Sequence, residues 1–132
     1  RGAVPRESID DLLNEARSRI ERLTPGEARA AMDDGAMLVD TRCNEDRRSF
    51  GVVPGSVHIP RTVLEWRADP DSDYSDPRIS APGARLIIMC MDGFSSSLAA
   101  ASLTDLGCER VADMEGGFRA WKAAGLPVQS VD

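Results

Sequence analysis

Apolar residues recur along this chain first at helical spacing and then in short unbroken runs, and the two patterns alternate. Between Ser8 and Leu23, the residues Ile9, Leu12, Leu13, Ala16, Ile20 and Leu23 fall on one face of a single helix. Ser8 can cap it, and Asp10 and Asp11 bring negative charge to the positive end of its dipole. Thr24-Pro25-Gly26-Glu27 reads as a capping box with proline at the first helical position, opening a second helix towards Asp33. Gly35 stops that helix, and Ala36 to Asp40 is a short buried strand. Pro54-Gly55 marks a turn before a strand from Ser56 to Ile59, and Val63 to Arg67 has the length of one helical turn. The polar stretch from Asp69 to Pro82 carries Pro70, Pro77 and Pro82 and reads as an exposed loop. Then strand and helix repeat: Arg85 to Met89, Ser96 to Leu106 closed by Gly107, Arg110 to Met114, and Phe118 to Ala124 closed by Gly125. This alternation predicts an α/β fold whose mostly parallel sheet is covered by helices on both faces.

Ligands of such sheets gather at the carboxyl ends of the strands, and Cys90 falls there. It ends the run Leu86-Ile87-Ile88-Met89 and precedes a short turn, Met91-Asp92-Gly93-Phe94-Ser95-Ser96, that leads into an Ala- and Leu-rich helix. The unpaired N–H groups and dipole of a helix start favour an anion, and the anion nearest to hand is the cysteine's own thiolate. The simpler reading of such a cysteine is a buried thiol, and geometry of this kind leaves both open.

Composition narrows the function classes. With 132 residues the chain has the size of about one domain. Its net charge of -6 argues against nucleic acid or an anionic membrane surface as a general partner. No apolar run approaches the roughly 20 residues of a membrane span, and nothing reads as a signal peptide. Cys43, Cys90 and Cys108 form no C-x-x-C pair, so neither a disulfide framework nor a zinc site is expected, and a cytoplasmic protein with reduced thiols is. Because the chain opens at Arg1 rather than Met, further sequence ahead of it is expected.

Five segments in order carry a resemblance: Leu38-Val39-Asp40-Thr41-Arg42, Val53-Pro54-Gly55-Ser56-Val57-His58-Ile59-Pro60, Cys90-x-x-Gly93, Glu115-Gly116-Gly117-Phe118-x-x-Trp121 and Gly125-Leu126-Pro127-Val128. Together they resemble a single rhodanese-like domain over about residues 23 to 129, which sets 1–22 apart as an N-terminal helical extension and 23–132 as the domain. Val63-Leu64-Glu65-Trp66-Arg67 with Pro70 is similar to a small stand-alone actinobacterial branch. The resemblance implies a central parallel sheet flanked by helices and a persulfide carried on Cys90 during sulfur transfer. It implies a small sulfur-containing donor with a thiol or cyanide acceptor, or a protein persulfide partner, and no metal or organic cofactor. The residues suit that role. A persulfide anion needs backbone donors around it, and a loop curling over the helix start supplies them. Gly93 can adopt angles closed to other residues, Ser95 and Ser96 can add hydroxyl donors, and one of the two also caps a helix beginning near Ser97.

The loop departs from common family patterns. Many members carry Arg five residues after the cysteine, where this chain has Ser95, and thiosulfate users tend to be basic at the position of Asp92. A carboxylate about 6 Å from an incoming charge opposes it by about 1–3 kcal/mol at an effective dielectric of about 20. That is roughly 10–100-fold in affinity, so thiosulfate is expected to be a poor donor. Phosphatases and arsenate reductases of the same fold need Arg six residues after the cysteine, and Ser96 stands there. A non-catalytic redox-sensing or interaction module is the other alternative. Asp40, Arg42 and Trp66 are candidates to support the site, the first two also reading as a structural ion pair. His58 reads as structural, Cys43 as a loop residue and Cys108 as core.

Overall fold

A computed structural model gives the fold, with residues 6–131 described. Seven helices are set among five strands, in the order α1 (Ile9–Ser18), β1 (Glu21–Leu23), α2 (Pro25–Asp33), β2 (Met37–Asp40), α3 (Asn44–Phe50), β3 (Val57–His58), α4 (Leu64–Ala68), α5 (Pro77–Ser80), β4 (Arg85–Met89), α6 (Ser95–Asp105), β5 (Arg110–Met114) and α7 (Gly117–Ala123). A short 3-10 turn, Arg61–Val63, leads into α4. The two capping boxes form as the sequence predicts: Ser8 Oγ accepts the Asp11 N–H at 3.0 Å, and Thr24 Oγ1 accepts the Glu27 N–H at 3.2 Å.

The strands make one sheet ordered β1-β5-β4-β2-β3, and every pairing is parallel. Side chains alternate between faces along each strand, so neighbours in sequence feed opposite layers. Leu38, Ile87, Met89 and Met114 pack with Ala28 and Ala31 of α2 and with Phe118 and Trp121 of α7. Val39, Leu86, Ile88 and Val111 pack on the other face with Leu64 of α4 and Ala99, Ala100 and Leu103 of α6. A fully buried Leu or Ile contributes about 1.5–3 kcal/mol, and the central strands β2 and β4 are lined with such residues. The α/β fold with both sheet faces covered agrees with the sequence reading.

Three local features differ from it. The apolar face expected to run as one helix to Leu23 is divided: α1 ends at Ser18, and Glu21, Arg22 and Leu23 pair with Ala112, Asp113 and Met114. The edge of β5 offers that segment backbone partners, and pairing there carries Leu23 into the core. The stretch 69–82 is not wholly an exposed loop. It holds α5, with Pro77 in its first turn, Asp76 accepting the Arg78 N–H at 3.0 Å, and Ile79 only 2% exposed. Finally, α3 was not expected from periodicity, because Asn44–Phe50 buries no residue and so carries no apolar stripe.

Candidate active site

Cys90 lies at the carboxyl end of β4, the central strand of the sheet, and is 7% exposed. Its Sγ accepts the N–H groups of Gly93 at 3.1 Å and Ser96 at 3.3 Å. The helix that follows begins at Ser95, with Phe94 as its N-cap and no side-chain cap bond. The expectation that Ser95 or Ser96 caps a helix near Ser97 is therefore corrected. The cysteine sulfur itself takes the place of a cap oxygen, by accepting the N–H of the helix's second residue. Burial pushes the Cys90 thiol up, but the Ser96 and Ser95 hydroxyls and the Ser96 and Gly93 N–H groups outweigh it and leave the thiol below its ordinary value. One of these donors is conditional. The single hydroxyl proton of Ser96 goes to Asp113 Oδ2 at 2.9 Å, and it reaches the sulfur only by turning away from that carboxylate. The Ser95 hydroxyl and the two N–H groups are the standing contribution.

Gly93 has φ +84°, and a Cβ there would lie 2.6 Å from the Gly116 nitrogen. The first turn of α7 closes on the loop from that side: Phe118 N–H donates to the Cys90 carbonyl at 2.9 Å and Arg119 N–H to the Met91 carbonyl at 3.1 Å. At Gly117, with φ +61°, a Cβ would come within 2.5 Å of the Cys90 carbonyl oxygen. Gly117 is thus demanded by the approach of α7 to the cysteine loop, whereas at Gly116, with φ +71°, a Cβ would meet the Ala120 Cβ at 2.5 Å within α7 itself.

Beneath the loop lies a polar cluster. Asp113 of β5, fully buried, accepts from Ser96 and from Ser97 (2.7 Å) and is held by Arg22 of β1 through both oxygens, at 2.8 and 3.2 Å. Arg22 also donates to the Gly93 carbonyl at 3.2 Å, and Arg17 of α1 donates to the same carbonyl at 2.9 Å and to Ser97 Oγ at 3.0 Å. Neither arginine was among the candidates from sequence. The available signal was Asp113 itself, a carboxylate among the buried apolar residues Val111, Ala112 and Met114 that has to be paired.

The remaining candidates divide. Met91 is half-buried against the core, with its sulfur 3.9 Å from Arg42 Nη1. Asp92 is exposed and paired with Arg119 at 2.6 Å, so its carboxylate does not face solvent unmatched. Phe94 is exposed, with the Arg17 guanidinium 5.9 Å from its ring. Asp40 and Arg42 make a buried two-pronged pair at 3.0 and 2.9 Å, and Arg42 lies 3.9 Å over the Phe118 ring. Trp66 is 56% exposed and lines a groove with Thr62, Val63, Arg67 and Tyr74, to which no residue of 90–96 contributes. His58 Nε2 meets the Arg42 carbonyl at 2.7 Å; a carbonyl only accepts, so that nitrogen carries the proton. Cys43 is exposed at the start of α3, whereas Cys108 packs against the core, and burial with the nearby Asp69 pushes its thiol up.

Among the described residues no three His, Cys, Asp or Glu side chains gather as a metal-binding group, and no helix is long and apolar enough to cross a membrane. Comparison with known proteins adds four findings. The thiosulfate sulfurtransferase GlpE of Pseudomonas savastanoi is 32% identical over 109 residues, covering 80% of this chain and 91% of that one. A structure from Rhodopseudomonas palustris, of a protein of unknown function described as a possible tyrosine phosphatase, superposes with TM-score 0.87 at 36% identity, over 98% of this chain and 99% of that chain. The polysulfide-sulfur transferase of Wolinella succinogenes shares the fold, with TM-score 0.72 at 19% identity over 93% of this chain and 88% of its own. Residues 24–124 match the Rhodanese-like domain family, and the chain belongs to that family.

Proposed function

We propose that this protein is a sulfurtransferase that carries sulfane sulfur as a persulfide on Cys90. The observation that carries the reading is a cysteine sulfur held by two backbone N–H groups at a helix start, with its thiol favoured towards the anion. The thiolate attacks the outer sulfur of a donor; a new S–S bond forms, and the donor's sulfur bond breaks with its electron pair leaving on the departing thiolate or sulfite. An acceptor thiolate then attacks the outer sulfur of the persulfide and returns Cys90 as thiolate. Atoms and electrons balance without an outside oxidant or reductant. The N–H groups of Asp92, Phe94 and Ser95 make no hydrogen bond among the described residues, which leaves donors on the same loop for the second sulfur. The work is done by fixed dipoles around a nearly dry sulfur, so no metal or organic cofactor is needed.

The donor we favour is a low-molecular-weight or protein persulfide rather than thiosulfate. The loop 91–96 carries no Lys or Arg, and the rim charges of Asp92 and Arg119 offset one another. A reducing, cytoplasmic setting suits three cysteines that stand as free thiols. The phosphatase description of the R. palustris relative transfers poorly. The position six after the cysteine is Ser96, engaged with Asp113, where a phosphoryl group would need a two-pronged guanidinium. A transfer assay with a small-molecule persulfide donor and a thiol acceptor tests the proposal. Cys90→Ala abolishes transfer, while Cys43→Ser and Cys108→Ala keep most of it; full activity in Cys90→Ala would end the sulfurtransferase reading.

A further inference from the structure

The residues that hold the cysteine loop from below come from ahead of the family match, which begins at residue 24. Arg17 of α1 and Arg22 of β1 converge on one atom, the carbonyl oxygen of Gly93, at 2.9 and 3.2 Å. The N–H of the same residue faces the Cys90 sulfur. Gly93 has no side chain to anchor it and occupies a backbone region open mainly to glycine, so its orientation depends on what its two polar groups meet. Arg17 and Arg22 also fix Ser97 and Asp113, and through Asp113 the hydroxyl of Ser96, the loop's other N–H donor.

Charge adds to geometry. The charged groups around the loop are Arg22 and Asp113, which pair; Asp92 and Arg119 at the rim, which pair; Asp40, which pairs with both Arg42 and Arg47; Glu115, which acts on Arg22; and Arg17. Arg17 differs from the other four arginines: its contacts are a hydroxyl and a carbonyl, and among the described residues no carboxylate pairs with it. It therefore brings to a loop without a cation of its own a positive charge that no carboxylate in contact with it neutralises.

We infer that Arg17 and Arg22 are positioning residues of the Cys90 site, which fix the Gly93 peptide and the start of α6 so that both N–H groups aim at the sulfur. The inference rests on Cys90 as the reactive thiol. Charge-assisted hydrogen bonds from two guanidiniums to one carbonyl are about twice as strong as neutral ones, which suits a hinge with no side chain. The segment that bears Arg17 and Arg22 thereby becomes part of the site.

The test is the alkylation of Cys90 by iodoacetamide in the full chain, followed on the Cys90 peptide by mass spectrometry across pH. Arg17→Met slows alkylation about 5- to 10-fold at about pH 7 and moves the acid limb of the profile to higher pH. Arg17→Lys, which keeps the charge but not the fork, recovers part of the rate. Arg19→Met is the control: Arg19 pairs with Glu15 and Asp105 away from the loop, and its profile overlays the parent's. Arg22→Met gives a loss at least as large as Arg17→Met; should it not fold, because Asp113 has lost its cation, Arg17→Met decides alone. An Arg17→Met profile superposed on the parent's, or an equal shift in Arg19→Met, overturns the inference. Alkylation uses no sulfur donor, so a chain that alkylates as described yet never carries sulfur defeats the proposed function and leaves this inference standing.

Discussion

At the scale of single residues, the charge on the loop rim is the point where sequence and structure differ most. Read alone, Asp92 repels an anionic donor; in place, it spends its charge on Arg119, both about half exposed. An exposed pair of this kind holds little free energy, so removing the acid both frees the guanidinium and removes the repulsion. Asp92→Asn is expected to raise thiosulfate:cyanide transfer about 3- to 10-fold, with a gain that shrinks as salt is added. A gain that salt does not touch would place the cause outside electrostatics. The cysteine and its glycine were legible from sequence because strand end, turn and helix start leave a local signature. Arg17 and Arg22 were not, because contacts across 76 and 71 residues of sequence leave none.

At the scale of elements, two helices enclose the loop, and their starts differ. α6 begins without a side-chain cap and offers its N–H to the cysteine sulfur, while α7 begins at Gly116-Gly117 and offers its N–H groups to the Cys90 and Met91 carbonyls. Gly117→Ala would drive a Cβ to 2.5 Å from the Cys90 carbonyl oxygen at a positive φ. The loop or α7 has to move, at a cost of about 1–3 kcal/mol. Expected are a lowered melting temperature and at least a tenfold loss in sulfur transfer. Full activity with parental stability would mean that α7 does not hold the loop. The capping boxes of α1 and α2 and the buried runs of β2, β4 and β5 could be read directly from the residues that make them. β1 could not, since Ile20 and Leu23 fit a helical face as well as a strand, and only the edge of β5 selects between them. α3 was equally hidden, because an element that buries nothing has no period to detect.

At the scale of the whole molecule, the favoured thiolate ties stability to pH. Burial raises the Cys90 thiol, the surrounding donors lower it further, and the folded value ends below that of an unfolded cysteine. Between those two values the unfolded chain binds more protons, so folded-state stability rises with pH, and the contribution is lost as pH falls through the folded value. The difference in melting temperature between the parent and Cys90→Ala is therefore expected to grow in the parent's favour from about pH 6 to about pH 9. Cys108, whose thiol is pushed up, is common to both proteins and cancels in the comparison. A difference that stays flat with pH would mean that the anion is not stabilised by the fold. The central claim, that Cys90 carries sulfur, is tested most directly by the intact mass of the full chain after incubation with a persulfide donor. The parent is predicted to gain one sulfur atom, to lose it when a thiol acceptor is added, and to gain none as Cys90→Ala. A parent that gains no sulfur, or a Cys90→Ala protein that gains as much, would contradict the account.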